Sequence, residues 1–180
     1  MDLWHGVPVG DSAPQEVNAI VEIPRGSHNK YEIDKKTGLI KLDRANYSSA
    51  AYPFDYGFVP QTLWDDDDAL DVIILSSNPL FPGILVVVRP VALLRMTDSG
   101  DADEKVVGVP VEDKRFDDIK DLADLNKHNL KEYTHFFETY KNLKGKPAAV
   151  DILGWEGADA ARSAVTRSLE LYAKKFGAHG

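Results

Sequence analysis

Five aspartates lie close together in the chain, four of them consecutive at Asp65–Asp68 and the fifth at Asp71. Such crowding is electrostatically costly without a cation, because neighbouring carboxylates repel one another. Carboxylate oxygens suit hard divalent ions, and Mg²⁺ in particular keeps several waters and bridges protein carboxylates to substrate phosphates. The segment therefore indicates magnesium-dependent phosphate chemistry. A solvated acidic loop is the alternative interpretation of these residues taken alone.

An EF-hand calcium loop is a further alternative for the same segment. That loop requires alternating acidic ligands, then a glycine and a later glutamate. Leu70 and the apolar residues directly after it break this spacing. The aspartates therefore fit a site assembled from several chain segments better than a self-contained calcium loop.

A second acidic turn, from Asp98 to Glu104, lies between two apolar segments. On its own such a turn is typical of a hairpin loop. Two acidic loops at the ends of neighbouring strands in a small barrel could face each other, and a site with several ions needs such convergence. The two loops together are therefore more informative than either one.

Cationic and phenolic side chains accompany the acidic loops. They are Arg25, Lys30, Arg44, Tyr52, Tyr56, Tyr140 and Lys141. Individually, such residues are usually solvated or part of the core. A phosphoryl-transfer site, however, needs metal ligands, donors on the phosphate oxygens and a carboxylate that orients or deprotonates water. The combination predicts a site of this kind.

Short strands must position most of these residues. Alternating polarity and β-branched residues predict strands at Val17–Ile23, Lys30–Ile33, Leu39–Leu42, Leu70–Leu75, Ile84–Arg95, Val106–Val111 and Ala149–Leu153. The segment Asp34–Gly38 predicts a hairpin turn, with Gly38 at positive φ.

Two helices are predicted in the C-terminal half of the chain. The first carries an apolar stripe that includes Leu130, Tyr133 and Tyr140, and the second runs from Ala158 to Phe176. Gly177 is placed to end the second helix. Strands followed by helices predict an α+β fold whose core is a small, strongly curved sheet or a closed barrel.

Composition limits the class of protein. The chain has 180 residues, 29 Asp and Glu against 21 Lys and Arg, a net charge of -8 and no cysteine. These values predict one domain over residues 1–180, without disulfides or thiolate metal sites, and disfavour nucleic-acid binding. The first twenty residues do not resemble a signal peptide, and the apolar stretch Leu80–Leu94 is too short and interrupted to span a membrane. We expect a soluble, cytoplasmic protein.

Ordered motifs along the chain carry a resemblance to a known family. They are Val21-Glu22-Ile23-Pro24, Lys30-Tyr31-Glu32-Ile33-Asp34, Asp43-Arg44, Tyr52-Pro53, Tyr56-Gly57, Asp66-x-Asp68-x-x-Asp71-Val72, Arg89-Pro90-Val91, Met96-Thr97-Asp98, His135-Phe136-Phe137-Glu138 and Tyr140-Lys141. Over essentially the whole chain they resemble the soluble family I inorganic pyrophosphatases of prokaryotic type. The resemblance implies a closed five-stranded barrel of the oligonucleotide-binding type and Mg²⁺-dependent hydrolysis of pyrophosphate released by biosynthetic reactions.

The resemblance also implies roles for individual residues. Asp68 would be the general base facing the nucleophilic water. The implied metal ligands are Asp66, Asp71, Asp98, Asp103 and, through water, Glu32. The implied substrate ligands are Lys30, Arg44, Tyr56, Tyr140 and Lys141. Glu22, Tyr52 and Lys105 would support the site, with Lys105 balancing the charge of the metal cluster.

Three positions depart from the usual family pattern. Asp67 and Ala69 stand where the family commonly has Gly and Pro, and Asp55 stands where Asn is common. Asp67 must therefore adopt whatever backbone geometry the glycine served. We expect activity, with metal affinity or its pH dependence as the property most affected.

The resemblance further implies a homohexamer, in which the helix carrying His135 contributes to an interface. The family's second interface histidine is often found where this chain has Thr139. Two other functions stay open at this point. One is a barrel that binds single-stranded nucleic acid, which would need a basic groove with exposed aromatic residues. The other is a degenerate pyrophosphatase that binds Mg²⁺ or Mn²⁺ without turnover.

Overall fold

A computed structural model describes residues 1–145 and 149–177. The strands are β1 (Val17–Ile23), β2 (Asn29–Ile33), β3 (Ile40–Ala45), β4 (Asp55–Phe58), β5 (Asp71–Ile74), β6 (Leu85–Asp98), β7 (Asp101–Ala102), β8 (Lys105–Pro110) and β9 (Val150–Gly157). The helices are α1 (Lys127–Thr139) and α2 (Ala158–Phe176). Short 3₁₀ turns occur at Lys114–Phe116, Leu122–Asp124 and Asn142–Lys144.

Five strands form a closed ring in the order β1, β4, β5, β8, β6 and back to β1. The β5–β8 pair is parallel, and the other four pairs are antiparallel. Strands β7 and β9 extend the sheet along β6, while β2 and β3 form a separate hairpin. The ring confirms the predicted α+β fold with a closed five-stranded barrel and two helices in the C-terminal half.

Strand β6 belongs to both the ring and its extension. It pairs with β1 and β8 in the ring and with β7 and β9 outside it. It is 14 residues long, and its pairing with β8 shifts register between Pro90 and Ala92. A second shift, against β9, occurs between Arg95 and Met96. Such irregularities bend a strand and increase its twist, which lets one strand serve both the ring and its extension.

The two helices cover different parts of the barrel. The buried face of α1 carries Tyr133, Phe136 and Phe137 and packs on Phe54. The buried face of α2 is lined by small residues such as Ala161, in one apolar cluster with residues of β1 and β6. Each large apolar side chain buried in this way contributes about 1.5–3 kcal/mol to folding.

The hairpin and helix signals in the sequence are confirmed. Strands β2 and β3 pair across the predicted turn, and Gly38 has φ 72°. Helix α2 has the predicted bounds, and the N–H of Gly177 donates to the Ala173 carbonyl at its end. Strand β4 was not predicted, because its sequence Asp55-Tyr56-Gly57-Phe58 lacks β-branched residues.

The predicted single domain extends over 146–148 and 178–180, which lie outside the described residues. Its extent therefore stays a prediction. Within residues 1–145 and 149–177, no helix is both long enough and apolar enough to cross a membrane.

Candidate active site

A cavity of about 180 Å³ opens where the ends of β1, β2, β4, β5 and β8 meet the end of α1. Eleven of the fourteen predicted site residues line it, namely Glu22, Lys30, Glu32, Tyr56, Asp66, Asp68, Asp71, Asp103, Lys105, Tyr140 and Lys141. The other three, Arg44, Asp98 and Tyr52, contact these lining residues or pair with their strands. Segments far apart in sequence therefore converge, as the acidic loops predicted.

The buried ammonium of Lys105 lies between two carboxylates of this cavity. Its Nζ is 2.5 Å from an oxygen of Asp71 and 2.6 Å from an oxygen of Asp103, and the residue is 3% exposed. The parallel register of β5 and β8 places Asp71 directly beside Lys105. Burial alone would lower the pKa of Lys105, but the two negative charges outweigh it and raise that pKa well above its ordinary value. Lys105 is therefore a fixed cation.

One lysine does not neutralise this group of carboxylates. Burial, followed by the charges of Asp71 and Asp103, raises the pKa of Asp66 to about 7. Burial also raises the pKa of Asp103. The negative charge of these buried carboxylates is not balanced by nearby cations. The donor set therefore fits hard divalent cations, which bind oxygen ligands.

The metal site is not a preformed cage. In the part of the chain that the structure describes, no group of three or more acidic or histidine side chains is spaced to enclose an ion. The carboxylates of Asp71 and Asp103 instead flank Lys105. The residues present fit Mg²⁺ by their chemistry, and the ligand assignments stay predictions.

The predicted general base, Asp68, lies at the mouth of the cavity. Its side chain is 57% exposed, and one of its oxygens is 3.2 Å from the Lys35 ammonium. The neighbouring Asp67 has φ 65°, a left-handed conformation that glycine adopts without strain and that aspartate visits more readily than most residues. Asp67 thus occupies a backbone conformation that favours glycine, the residue common at this position in the family.

Two of the predicted phosphate ligands lie on the β2–β3 hairpin. The register of β2 and β3 sets Arg44 beside Lys30, and the Lys30 ammonium is 3.2 Å from Asp43. The Arg44 Nη2 atom is buried and has no hydrogen-bond partner among the described residues. Such a donor suits a ligand oxygen, because an unsatisfied buried donor costs about 1–3 kcal/mol.

The end of α1 provides a second cation and a phenol. The Lys141 ammonium is 2.5 Å from Asp98, and its Nζ lies 5.3 Å from the centre of the Tyr140 ring. Burial would raise the pKa of Asp98, but the hydrogen bond and charge of Lys141 lower it overall. Asp98 is therefore ionised and held by Lys141 near the cavity.

The two tyrosines before the acidic loop differ in position. Tyr56 lines the cavity, and burial followed by the charge of Asp71 raises its pKa well above the ordinary value. Its hydroxyl therefore stays protonated and can donate a hydrogen bond. The Tyr52 ring packs against Phe136 at 4.8 Å, and against Tyr56 and Tyr140 at 6.3 and 6.4 Å between ring centres. Tyr52 therefore forms part of an aromatic wall beside the cavity.

Sequence reasoning missed two residues that contact the site. Asp43 pairs with both Lys30 and Arg44, and Lys35 pairs with Asp68. The predicted hairpin contained the signal for Asp43, because pairing β2 with β3 necessarily sets the Asp43-Arg44 pair beside Lys30. The Lys35 contact had no sequence signal, since it joins the hairpin turn to a loop 33 positions away.

The substitution at Asp55 serves the scaffold and not the cavity. This fully buried carboxylate accepts hydrogen bonds from the backbone N–H groups of Arg25 and Leu80, at 2.8 and 2.9 Å, and from the Ser76 hydroxyl at 2.6 Å. It thereby ties the ends of β1 and β5 to the loop that precedes β6. Three donors therefore satisfy the carboxylate at this departure from the family pattern.

Comparison with known proteins agrees with this arrangement. The family model described as inorganic pyrophosphatase matches residues 19–173. The chain is 46% identical to the inorganic pyrophosphatase of Haloferax volcanii over 177 residues, which cover 98% of this chain and 99% of the relative. It is 47% identical to that of Geobacillus stearothermophilus over 156 residues, covering 87% of this chain and 93% of the relative.

Solved structures show the same relationship. The crystal structure of inorganic pyrophosphatase from Thermus thermophilus superimposes with a TM-score of 0.91 and 46% identity, covering 96% of this chain and 99% of that one. A structure from Coxiella burnetii gives a TM-score of 0.87 at 37% identity, covering 92% and 99%. Sequence, fold and cavity agree, and the chain belongs to the inorganic pyrophosphatase family.

Proposed function

We propose that this protein hydrolyses inorganic pyrophosphate to two phosphates with Mg²⁺, and so removes pyrophosphate released by biosynthetic reactions. The observation that carries the proposal is a single cavity lined by both carboxylates and cationic or phenolic groups. Carboxylates from two acidic loops line it together with Lys30, Lys141 and Tyr140. A diphosphate, which carries several negative charges, would pair with the cations directly and with the carboxylates through bound divalent ions.

The resemblance implies a division of labour among these residues. Asp66, Asp71 and Asp103 would hold the first Mg²⁺, and Asp98 and Glu32 would help to hold further ions. When bound, Mg²⁺ would acidify the attacking water and neutralise charge on the phosphates. Asp68 would orient that water and accept its proton, while Lys105 balances part of the negative charge of Asp71 and Asp103.

The cationic and phenolic side chains would stabilise the departing phosphate. The water oxygen forms a bond to one phosphorus as the bond from that phosphorus to the bridging oxygen breaks. Lys30, Arg44 and Lys141 offset the charge that develops on the leaving group, and Tyr56 and Tyr140 donate hydrogen bonds. No protein nucleophile is required.

Phosphate release from pyrophosphate tests the proposal. We expect release with Mg²⁺, none with EDTA, and a loss of about 10²–10⁴-fold in Asp68→Asn, as for other general bases. Asp159→Asn is the matched control, because Asp159 is an exposed carboxylate at the start of α2. Folded protein that releases no phosphate with any divalent ion would refute the proposal, and metal binding without turnover would identify a degenerate member.

The assembly and location belong to the same proposal. The resemblance supports a homohexamer and a cytoplasmic enzyme. Binding of single-stranded nucleic acid is not proposed, because the cavity is lined by carboxylates that repel a phosphodiester backbone without cations.

A further inference from the structure

The four consecutive aspartates of the acidic loop point in two alternating directions. Asp66 and Asp68 line the cavity. Asp65 and Asp67 instead form ion pairs with helix α2, at the other side of the loop. Half of the charge in this loop is therefore directed away from the metal site.

Two cationic side chains of α2 form ion pairs with Asp65 and Asp67. The Arg167 guanidinium is 2.6 Å from a carboxylate oxygen of Asp65, and the Lys175 ammonium pairs with Asp67. Arg167 and Lys175 are eight positions apart, which is about 12 Å along a helix. The loop thus runs alongside the last turns of α2 and is attached at both of its outward carboxylates.

The Arg167 attachment is also anchored to the core. Its guanidinium lies 4.5 Å from the centre of the Trp64 ring, and that buried indole donates a hydrogen bond to Glu104 at 2.7 Å. A cation over an indole face contributes about 0.5–1 kcal/mol at an exposed site. The residue immediately before the loop is therefore fixed to the same helix.

The loop needs such attachment for two physical reasons. Four adjacent carboxylates repel one another and favour an expanded conformation. Asp67 also has φ 65°, a conformation that costs a residue with a side chain roughly 1–2 kcal/mol. The ion pairs of Asp65 and Asp67 with α2 offset both the repulsion and the backbone cost. They leave Asp66 and Asp68 directed into the cavity.

We propose that Arg167 and Lys175 are positioning residues that hold the acidic loop in the conformation that binds divalent metal. The proposal depends on the proposed function only for its activity measurement. The metal-binding measurements do not depend on it. It also gives Asp67 a role, because the extra carboxylate becomes the point at which α2 holds the loop.

The sign of the effect separates positioning from simple electrostatics. Removal of a positive charge near a cation site should strengthen metal binding if the charge acts only through its field. If Arg167 and Lys175 position the loop, the same substitutions should weaken metal binding. The two explanations therefore predict opposite changes.

The experiment measures Mn²⁺ and Mg²⁺ binding by calorimetry in the whole protein and in Arg167→Ala, Lys175→Ala and the double variant. We expect the double variant to raise the dissociation constant by about threefold to tenfold, the range that two exposed ion pairs support. Lys174→Ala is the matched control, because it removes an exposed charge from the adjacent position of the same helix. Lys175→Arg should restore wild-type binding.

A double-mutant cycle assigns the effect to the pair. Asp67→Asn keeps a residue type that tolerates positive φ, so the loss from Lys175→Ala should largely disappear in that background. For activity, we expect a higher Mg²⁺ requirement with kcat at saturating Mg²⁺ changed less than twofold.

Unchanged or tighter metal binding in the double variant would overturn the positioning role, even if thermal stability fell. Metal binding by the wild-type protein without phosphate release would refute the proposed function instead. The binding measurements would still decide the role of Arg167 and Lys175 in that case.

Discussion

At the scale of one residue, Glu22 is a carboxyl group whose surroundings disfavour its ionised form. Its side chain is buried at the end of β1, where one oxygen accepts a hydrogen bond from the Ile33 N–H at 2.8 Å. Burial raises the pKa of Glu22 to about 8, the Ile33 hydrogen bond partly opposes this, and the charges of Asp71 and Asp68 add to it. In the folded protein the carboxyl therefore holds a proton at neutral pH.

This raised pKa predicts how the stability of the metal-free protein depends on pH. The pKa in the unfolded chain is near 4.5, so between pH 4.5 and 8 the folded state binds more protons than the unfolded state. The contribution of Glu22 is fully present below pH 4.5 and is lost as pH rises through 8. We expect the free energy of unfolding, measured by urea titration in EDTA, to fall by a few kcal/mol across this window.

Glu22→Gln should reduce that decline, because glutamine can accept the Ile33 hydrogen bond and does not titrate, and the raised pKa of Asp66 should account for part of what remains. Glu170→Gln, an exposed substitution on α2, should leave the decline unchanged. A slope that stays the same in Glu22→Gln would show that other groups dominate the pH dependence.

At the scale of the elements, Asp55 joins three connecting segments of the barrel through one side chain. Its two oxygens receive three donors, from the segment after β1, from Ser76 after β5 and from Leu80 before β6. The Ser76 hydroxyl is also 2.7 Å from the Asn78 carbonyl, so it has a second acceptor available. One buried carboxylate therefore fixes where three connections leave the barrel.

We expect Asp55→Asn to be tolerated and Asp55→Ala to be costly. In Asp55→Asn the amide oxygen keeps both backbone donors, and Ser76 can donate to Asn78, so stability should change by about 1 kcal/mol or less. Asp55→Ala leaves buried N–H groups unpaired and should cost about 2–4 kcal/mol. Thermal unfolding of both variants measures the difference, and equal losses would contradict this account.

The sequence predicted the elements whose pattern is local. Strand β1 and helix α2 have the predicted bounds, because their apolar residues are regularly spaced. Strand β4 was not predicted, because its Gly57 is required by a contact with β1 that the local sequence does not reveal. A Cβ at Gly57 would lie 1.9 Å from the Ile20 carbonyl oxygen of β1. The antiparallel pairing of β4 with β1 imposes that approach.

The candidate site was predicted in its residue types and not in its contacts. The Asp71–Lys105 pair depends on the parallel register of β5 and β8, which no spacing in the chain specifies. The attachment of Asp65 and Asp67 to α2 joins segments 102 and 108 positions apart. Those contacts are set by how α2 packs on the barrel, a tertiary property.

At the scale of the whole molecule, several large apolar side chains lie on the surface. Phe81 is 76% exposed, and Leu85 near it in the chain is 48% exposed. Where such side chains lie together on a surface, they often mark contacts between chains. His135 is also exposed, on the outer side of α1.

We expect size-exclusion chromatography with light scattering to give the mass of six copies of the 19.9 kDa chain. Apolar surface and the exposed face of α1 would be buried between copies. The expectation would be wrong if the protein eluted as a monomer at micromolar concentration.

The closed ring has a consequence for biosynthesis on the ribosome. Strand β1 ends at Ile23, but its second partner in the ring, β6, begins at Leu85. Translation at about 5–20 residues per second leaves that edge of β1 unpaired for several seconds while the intervening chain is made. An apolar strand with a free edge readily joins another chain. The nascent protein is therefore most prone to aggregation before β6 has emerged, and chaperone protection would matter most in that interval.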